Sequence, residues 1–176
     1  MKIDDLLGLD PDLRKHASLP EMDPLTEDDA LQEAQVLDVR FDVIAGIAGI
    51  LFELRQALQL QEATTGVLVA HGVRELSWRG PVRNRALTAW SVGSSVPRAD
   101  NQLFSLNLVM WPHPGAQLSL TAETAAFFVG EVPGLSAAPP DYAGRDREAV
   151  VGEVASWGSI FEPVSAVFLD AAPIDG

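Results

Sequence analysis

The stretch VLDVRFDVIAGIAGILFELR, residues 36–55, decides how this chain folds. Leu37, Val39 and Phe41 alternate with Asp38, Arg40 and Asp42, the period of a strand with one buried face. Ile50, Phe52 and Leu54 alternate again with Leu51, Glu53 and Arg55. A glycine-bearing link joins the two runs. With Gly46 and Ile47 at the centre of a type II′ turn, whose first position needs positive φ, the runs close into a hairpin. That register sets Phe41 opposite Phe52 and Val39 opposite Leu54 on an apolar face. It sets Arg40 opposite Glu53 and Asp38 opposite Arg55 on the other. A slip of one residue would turn both sets onto the wrong faces. A helix over residues 50–63 competes, because Ile50, Leu51, Leu54 and Leu58 also fit helical spacing. Strand to about Arg55, with a helical turn over residues 56–61, is the preferred reading.

Upstream, acids recur among prolines: Asp4, Asp5, Asp10, Asp12, Glu21, Asp23, Glu27, Asp28, Asp29 and Glu33. Thr26 before three acids reads as the N-cap of a short helix ending near Glu33. Residues 1–34 are therefore expected to form an acidic arm packed loosely on the domain edge. Downstream, GVLVAHGVRELSW (residues 66–78) reads as a strand bent at Gly72. Residues 85–92 read as another strand, with Trp90, and residues 93–101 as a polar loop. In residues 102–111, Phe104, Leu106, Leu108 and Met110 alternate inward. The run Pro112, His113, Pro114, Gly115 is a turn. Residues 117–120, 125–132 and 164–169 are further strands, and Asp146 caps a helix over residues 147–154.

The links between these strands are too short for most parallel crossovers. The expected fold is α+β and mainly antiparallel β. It is either a two-sheet sandwich or a strongly curved sheet, with two or three short peripheral helices. The expected division is an arm over residues 1–34, a single antiparallel-sheet domain over 35–170, and a frayed tail over 171–176.

A chain of 176 residues with 47% hydrophobic content can bury a full core. It has no apolar run of the roughly 18–20 residues that span a bilayer. The start, MKIDDLLGLD, pairs acids after a single lysine and does not read as a secretory signal; a cytoplasmic location is expected from the lack of cysteine. The absence of cysteine excludes disulfides, thiolate metal sites and cysteine nucleophiles. A net charge of −13 repels phosphate backbones and anionic membranes; it suits a basic protein partner, mimicry of nucleic acid, or solubility alone.

No motif carries chemistry. His16, His71 and His113 stand in no ligand spacing, and neither Ser94 nor Ser95 sits in a nucleophile elbow. Glycine-rich phosphate cradles and calcium loops are missing from the sequence. The pairs Asp4–Asp5 and Asp28–Asp29 lie in the acidic arm, away from any apolar run that would shift their ionisation. No catalytic, cofactor-binding or metal-ligating residue is assigned. The residual catalytic reading is His71 with a nearby acid. Trp78, Trp90, Trp111 and Trp157 suit core packing or interface anchoring. Arg74, Arg79, Arg83 and Arg85 make the one basic cluster, around Trp78.

An apolar hairpin (VLDVRFD…ILFELR) followed by GVLVAHGVRELSW in an acidic chain resembles the small cytosolic immunity-type proteins of bacterial polymorphic toxin systems, over residues 36–130. The resemblance implies a stoichiometric binder and not an enzyme. The expectation is thus a non-catalytic cytosolic protein-binding domain without cofactor, an immunity-like inhibitor of a basic partner. Its candidate contact residues are Asp38, Arg40, Asp42, Glu53, Arg55 and Trp78. The alternative is a small-ligand binder with an apolar pocket near Trp90, Trp111 and Phe104.

Overall fold

A computed structural model describes residues 1–8, 17–80, 87–100, 102–113 and 115–170. The expected tail over 171–176, and residues 85 and 86 of the strand expected over 85–92, lie outside them; of the rest, 87–89 are not in a strand and 90–92 are. Among the described residues nine strands form one sheet: β1 (Gln35–Asp42), β2 (Ile47–Glu53), β3 (Thr65–His71), β4 (Glu75–Arg79), β5 (Trp90–Asp100), β6 (Leu103–Trp111), β7 (Ala116–Ala122), β8 (Thr124–Glu131) and β9 (Glu162–Leu169). Every pairing between them is antiparallel, in the order β4-β7-β6-β5-β1-β2-β3-β8-β9. Residues Ile3–Gly8 form a 3-10 turn and Arg147–Val151 a short helix, α1.

Of the two forms expected, a two-sheet sandwich or a strongly curved sheet, the described strands make one open sheet, and it curls over on itself. β6 and β8 lie five steps apart in the strand order. A flat sheet at about 4.8 Å per strand would hold them about 24 Å apart. Their Cα atoms instead approach within 8 Å. The curl buries Phe104, Leu106, Leu108, Met110, Leu118 and Leu120 from one half against Ile50, Phe52, Leu68 and Phe127 from the other. A second cluster lies on the outer face, where Ile3, Leu6, Trp157 and Phe161 cover Leu51, Val67, Val69, Ala126 and Phe128. β2, β3 and β8 are thus buried on both faces. This is why they read as continuous apolar runs instead of alternating ones.

The leading hairpin forms in a different register from the expected one. Val39 faces Ile50, Phe41 faces Ala48 and Gln35 faces Glu53, with residues 43–46 as the loop. The Asp42 carboxylate explains the shift. It accepts the N–H groups of Ile44 at 2.9 Å and Ala45 at 3.0 Å, which ends β1 at Asp42. Gly46 does adopt the expected positive φ, +66°, but as the last loop residue. Arg40 therefore faces Gly49, and the expected pairs Arg40 with Glu53 and Asp38 with Arg55 are not made. The single strand expected over residues 66–78 is instead two strands, parted at Gly72, which has φ +64°. The bend separates β3 from β4, which pairs with β7 at the far edge.

Two other expectations are overturned. Residues 93–100 are strand, not loop: a bulge between Val92 and Ser94 breaks the alternation, which hides the strand from a period-two reading. Residues 27–33 turn repeatedly without forming a helix. The N–H groups of Asp29 and Glu33 are spent on the carbonyls of Ser95 and Val92, at 2.8 Å each. Several described residues of the N-terminal segment are buried. Leu25, Ala30 and Leu31 are buried with the core, and Ile3 and Leu6 under Trp157. Asp146 caps α1 as expected, accepting the Ala149 N–H at 2.9 Å.

Candidate functional site

The β1–β2 loop carries the largest exposed aliphatic side chains of the hairpin. Ile44 is fully exposed and Val43 is 77% exposed, beside the 44% exposed Phe41. The loop is not slack. Besides the two Asp42 carboxylate bonds, the Gly46 N–H donates to the Asp42 carbonyl at 2.9 Å. The Val73 N–H donates to the Gly46 carbonyl at 3.0 Å, which ties the tip to the β3–β4 turn. Arg74 and Glu123 form an ion pair beside that turn. Arg40 pairs with Asp4. Among the described residues no cation sits on Asp42 or Glu75, so this end of the sheet carries uncompensated negative charge around an apolar tip.

The six expected contact residues do not share one surface. Asp42 lies at the tip. Asp38 is turned to the outer cluster, accepting the Trp157 indole N–H at 2.9 Å. Arg40 is exposed, its guanidinium 5.0 Å from the Trp157 ring centre. Glu53 and Arg55 are buried and bonded to each other at 2.6 Å, so they belong to the interior and not to a contact face. Trp78 is about half exposed at the far edge of the sheet, edge-on to Trp90 at 5.4 Å. Val43 and Ile44 were missed. Their signal was Asp42 followed by two β-branched residues and a glycine, the sequence of a side-chain-capped turn.

The Arg cluster does not gather as expected. Arg74 is paired with Glu123, and Arg83 and Arg85 lie outside the described residues. The apolar interior near Phe104 is filled by side chains. Trp111 is half exposed at the end of β6, and Trp90 instead borders a groove of about 450 Å3 between β1 and α1.

Among the described residues no catalytic array assembles around His71 or His113. Burial holds the His71 imidazole below the ordinary range, against a hydrogen bond with the Leu7 backbone that raises it. Its Nε2 is buried without a partner. The Ser94 hydroxyl donates to Asp29 at 3.0 Å, and the Ser95 hydroxyl accepts the Leu31 N–H at 3.2 Å. Among the described residues no group of three or more His, Asp or Glu side chains is placed to hold a metal ion. No helix among them is long and apolar enough to cross a membrane.

Fold and surface together define an antiparallel β domain with an ordered, apolar, acid-rimmed hairpin tip. No protein-family model, no curated protein and no solved structure matches the chain.

Proposed function

We propose that this protein is a non-catalytic, cytosolic protein-binding domain that docks its β1–β2 tip onto a basic partner, as an immunity-like inhibitor does. One observation carries the reading: Val43 and Ile44 stand in water while the Asp42 carboxylate holds their backbone in a fixed turn. Exposed aliphatic groups cost solubility, and a pre-ordered loop loses little entropy on binding. The surrounding charge specifies the partner. Uncompensated Asp42 and Glu75 on a chain of net charge −13 favour a basic surface with an apolar pocket for Ile44.

The test is an affinity pull-down from native cytosol at low and high salt, with the wild-type chain and the V43S/I44S variant. The expected result is one basic partner, partly released by salt and lost with the variant, whose circular dichroism is unchanged. A partner retained equally by both chains would place the contact elsewhere, and no salt-sensitive partner would overturn the reading.

A further inference from the structure

The sheet is thinly joined where its two halves meet. β1 pairs with β5 through Gln35 with Ser91 and Val36 with Trp90 only. Beyond Val36 the two chains part, because residues 87–89 leave the ladder. The groove of about 450 Å3 lies at this parting, within the usual size of small-ligand sites. Its floor is Gln35, Val36, Leu37 and Leu51 from β1 and β2. One wall is Leu87 to Trp90, and the other comes from α1 and its flanks through Val150 and Val154. Most of the lining is apolar, yet it is not filled by a neighbouring element of the described chain.

The polar groups on the groove differ in what they have left to give. Asp38 is already engaged, by the Val39 N–H at 2.9 Å and the Trp157 indole N–H at 2.9 Å. Gln35 is not. It is 4% exposed, its Nε2 donates to Gln56 at 3.1 Å, and its Oε1 is buried with no partner. A buried carbonyl without a donor is costly, and buried polar groups are nearly always satisfied. Arg147, exposed on α1 at the groove mouth, makes no ion pair among the described residues. The site therefore offers an apolar trough, a buried acceptor on a floor residue and an unpaired positive charge at its mouth.

We infer that this groove binds a small apolar carboxylate carrying an amide N–H, the chemistry of an N-acylated aliphatic amino acid. The apolar side chain lies on Leu37, Leu87 and Val154, the partly exposed apolar residues of the lining. The amide N–H donates to Gln35 Oε1, and the carboxylate pairs with Arg147. The site is separate from the hairpin tip and does not depend on it.

The test is isothermal titration of the full chain with N-acetyl-L-leucine, its neutral amide N-acetyl-L-leucinamide, and decanoate. The acid is expected to bind, with the neutral amide weaker by about tenfold, the worth of one charge-assisted hydrogen bond. R147A is expected to erase that difference while leaving the melting temperature unchanged, since Arg147 is exposed and unpaired. Q35L is expected to weaken N-acetyl-L-leucine but not decanoate, which has no amide N–H. Equal binding of acid and amide by the wild-type chain would overturn the role of Arg147. Decanoate binding as tightly as N-acetyl-L-leucine would overturn that of Gln35. No heat with any of the three would overturn the site. None of these outcomes bears on the V43S/I44S result, so the two proposals fail separately.

Discussion

Arg55 lies folded back on Glu53, two residues before it, with Nη2 2.6 Å and Nε 2.7 Å from the carboxylate oxygens. Both side chains are almost completely buried. The guanidinium also reaches the carbonyls of Ser136 at 2.8 Å, Ala138 at 2.9 Å and Glu153 at 2.8 Å. One arginine thus satisfies a buried acid and fastens the chain that leads into and out of α1 across the outer face. R55A leaves Glu53 charged and unpaired in the interior, and is expected to cost about 3–5 kcal/mol. Replacing both partners with methionine is expected to recover most of that loss, because the desolvated charge goes with its partner. Urea denaturation of the single and double variants measures both. A double variant as unstable as R55A would show that the carbonyl bonds to residues 136–153, and not the ion pair, hold the segment.

Gly49 sits on β2 beneath the Trp157 indole. A Cβ placed there would stand 2.5 Å from the indole Cη2 and 2.8 Å from Leu7 Cδ2. The indole cannot swing away without breaking its bond to Asp38. G49A is therefore expected to destabilise by about 1–3 kcal/mol through overpacking. Gly152, with nothing within 4 Å and φ −78°, is the contrast, and G152A is expected to be neutral or slightly stabilising. Thermal melts of the two variants compare them directly. An unchanged G49A midpoint would mean that Trp157 has room to move.

The pH dependence of stability is expected to carry a His71 contribution. Burial lowers its folded-state pKa below the ordinary 6.5, and charging the ring would place an N–H at the buried, unpartnered Nε2. The unfolded chain thus binds the proton first. Stability from this group is complete above pH of about 6.5 and falls as the pH drops toward the folded-state pKa. Its slope is at most about 1.4 kcal/mol per pH unit. The acids Asp28 and Glu153, lowered by their bonds to Arg98 and Arg145, act in a more acidic range. Urea midpoints between pH 7.5 and 5 for wild type and His71→Gln isolate the histidine. Parallel curves for the two chains would remove His71 from the account.

The parts of the fold that depend on neighbours in sequence were legible, and the parts that depend on distant partners were not. Phe104, Leu106, Leu108 and Met110 alternate because β6 buries one face, and all four are in the core. Asp146 caps its helix through a bond three residues on. The hairpin register misled because apparent charge complementarity suited a tight turn. Arg40 finds Asp4 from a distant segment, and Arg55 finds Glu53 from its own strand end. β5 was hidden because the bulge between Val92 and Ser94 breaks its alternation, and the residues that bond to it beside the bulge, 29–34, lie more than fifty positions upstream. Within the proposed contact surface Asp42 was legible as a residue but not as a turn-former. Gln35 and Arg147 left no local signal, since the groove they line exists only where β1 and β5 part.

The tip itself separates stability from binding. Ile44 touches little, so I44S is expected to leave stability within about 0.5 kcal/mol of wild type. Asp42 is different, because its carboxylate accepts two loop N–H groups. D42A is expected to cost about 1 kcal/mol, the scale of a lost capping acceptor, and to loosen the loop without unfolding β1. Hydrogen exchange at the Ile44 and Ala45 amides reads the loosening directly, and should accelerate in D42A but not in I44S. If presentation of the aliphatic pair matters, partner affinity falls in both variants: in I44S by loss of the anchor, in D42A by the entropy of re-ordering the turn. D42N decides between charge and geometry. Asparagine keeps the turn-forming oxygen and removes the negative charge, so exchange should stay slow while the salt dependence of binding flattens. Fast exchange in D42N would mean that the charge on the carboxylate, and not its geometry alone, holds the turn.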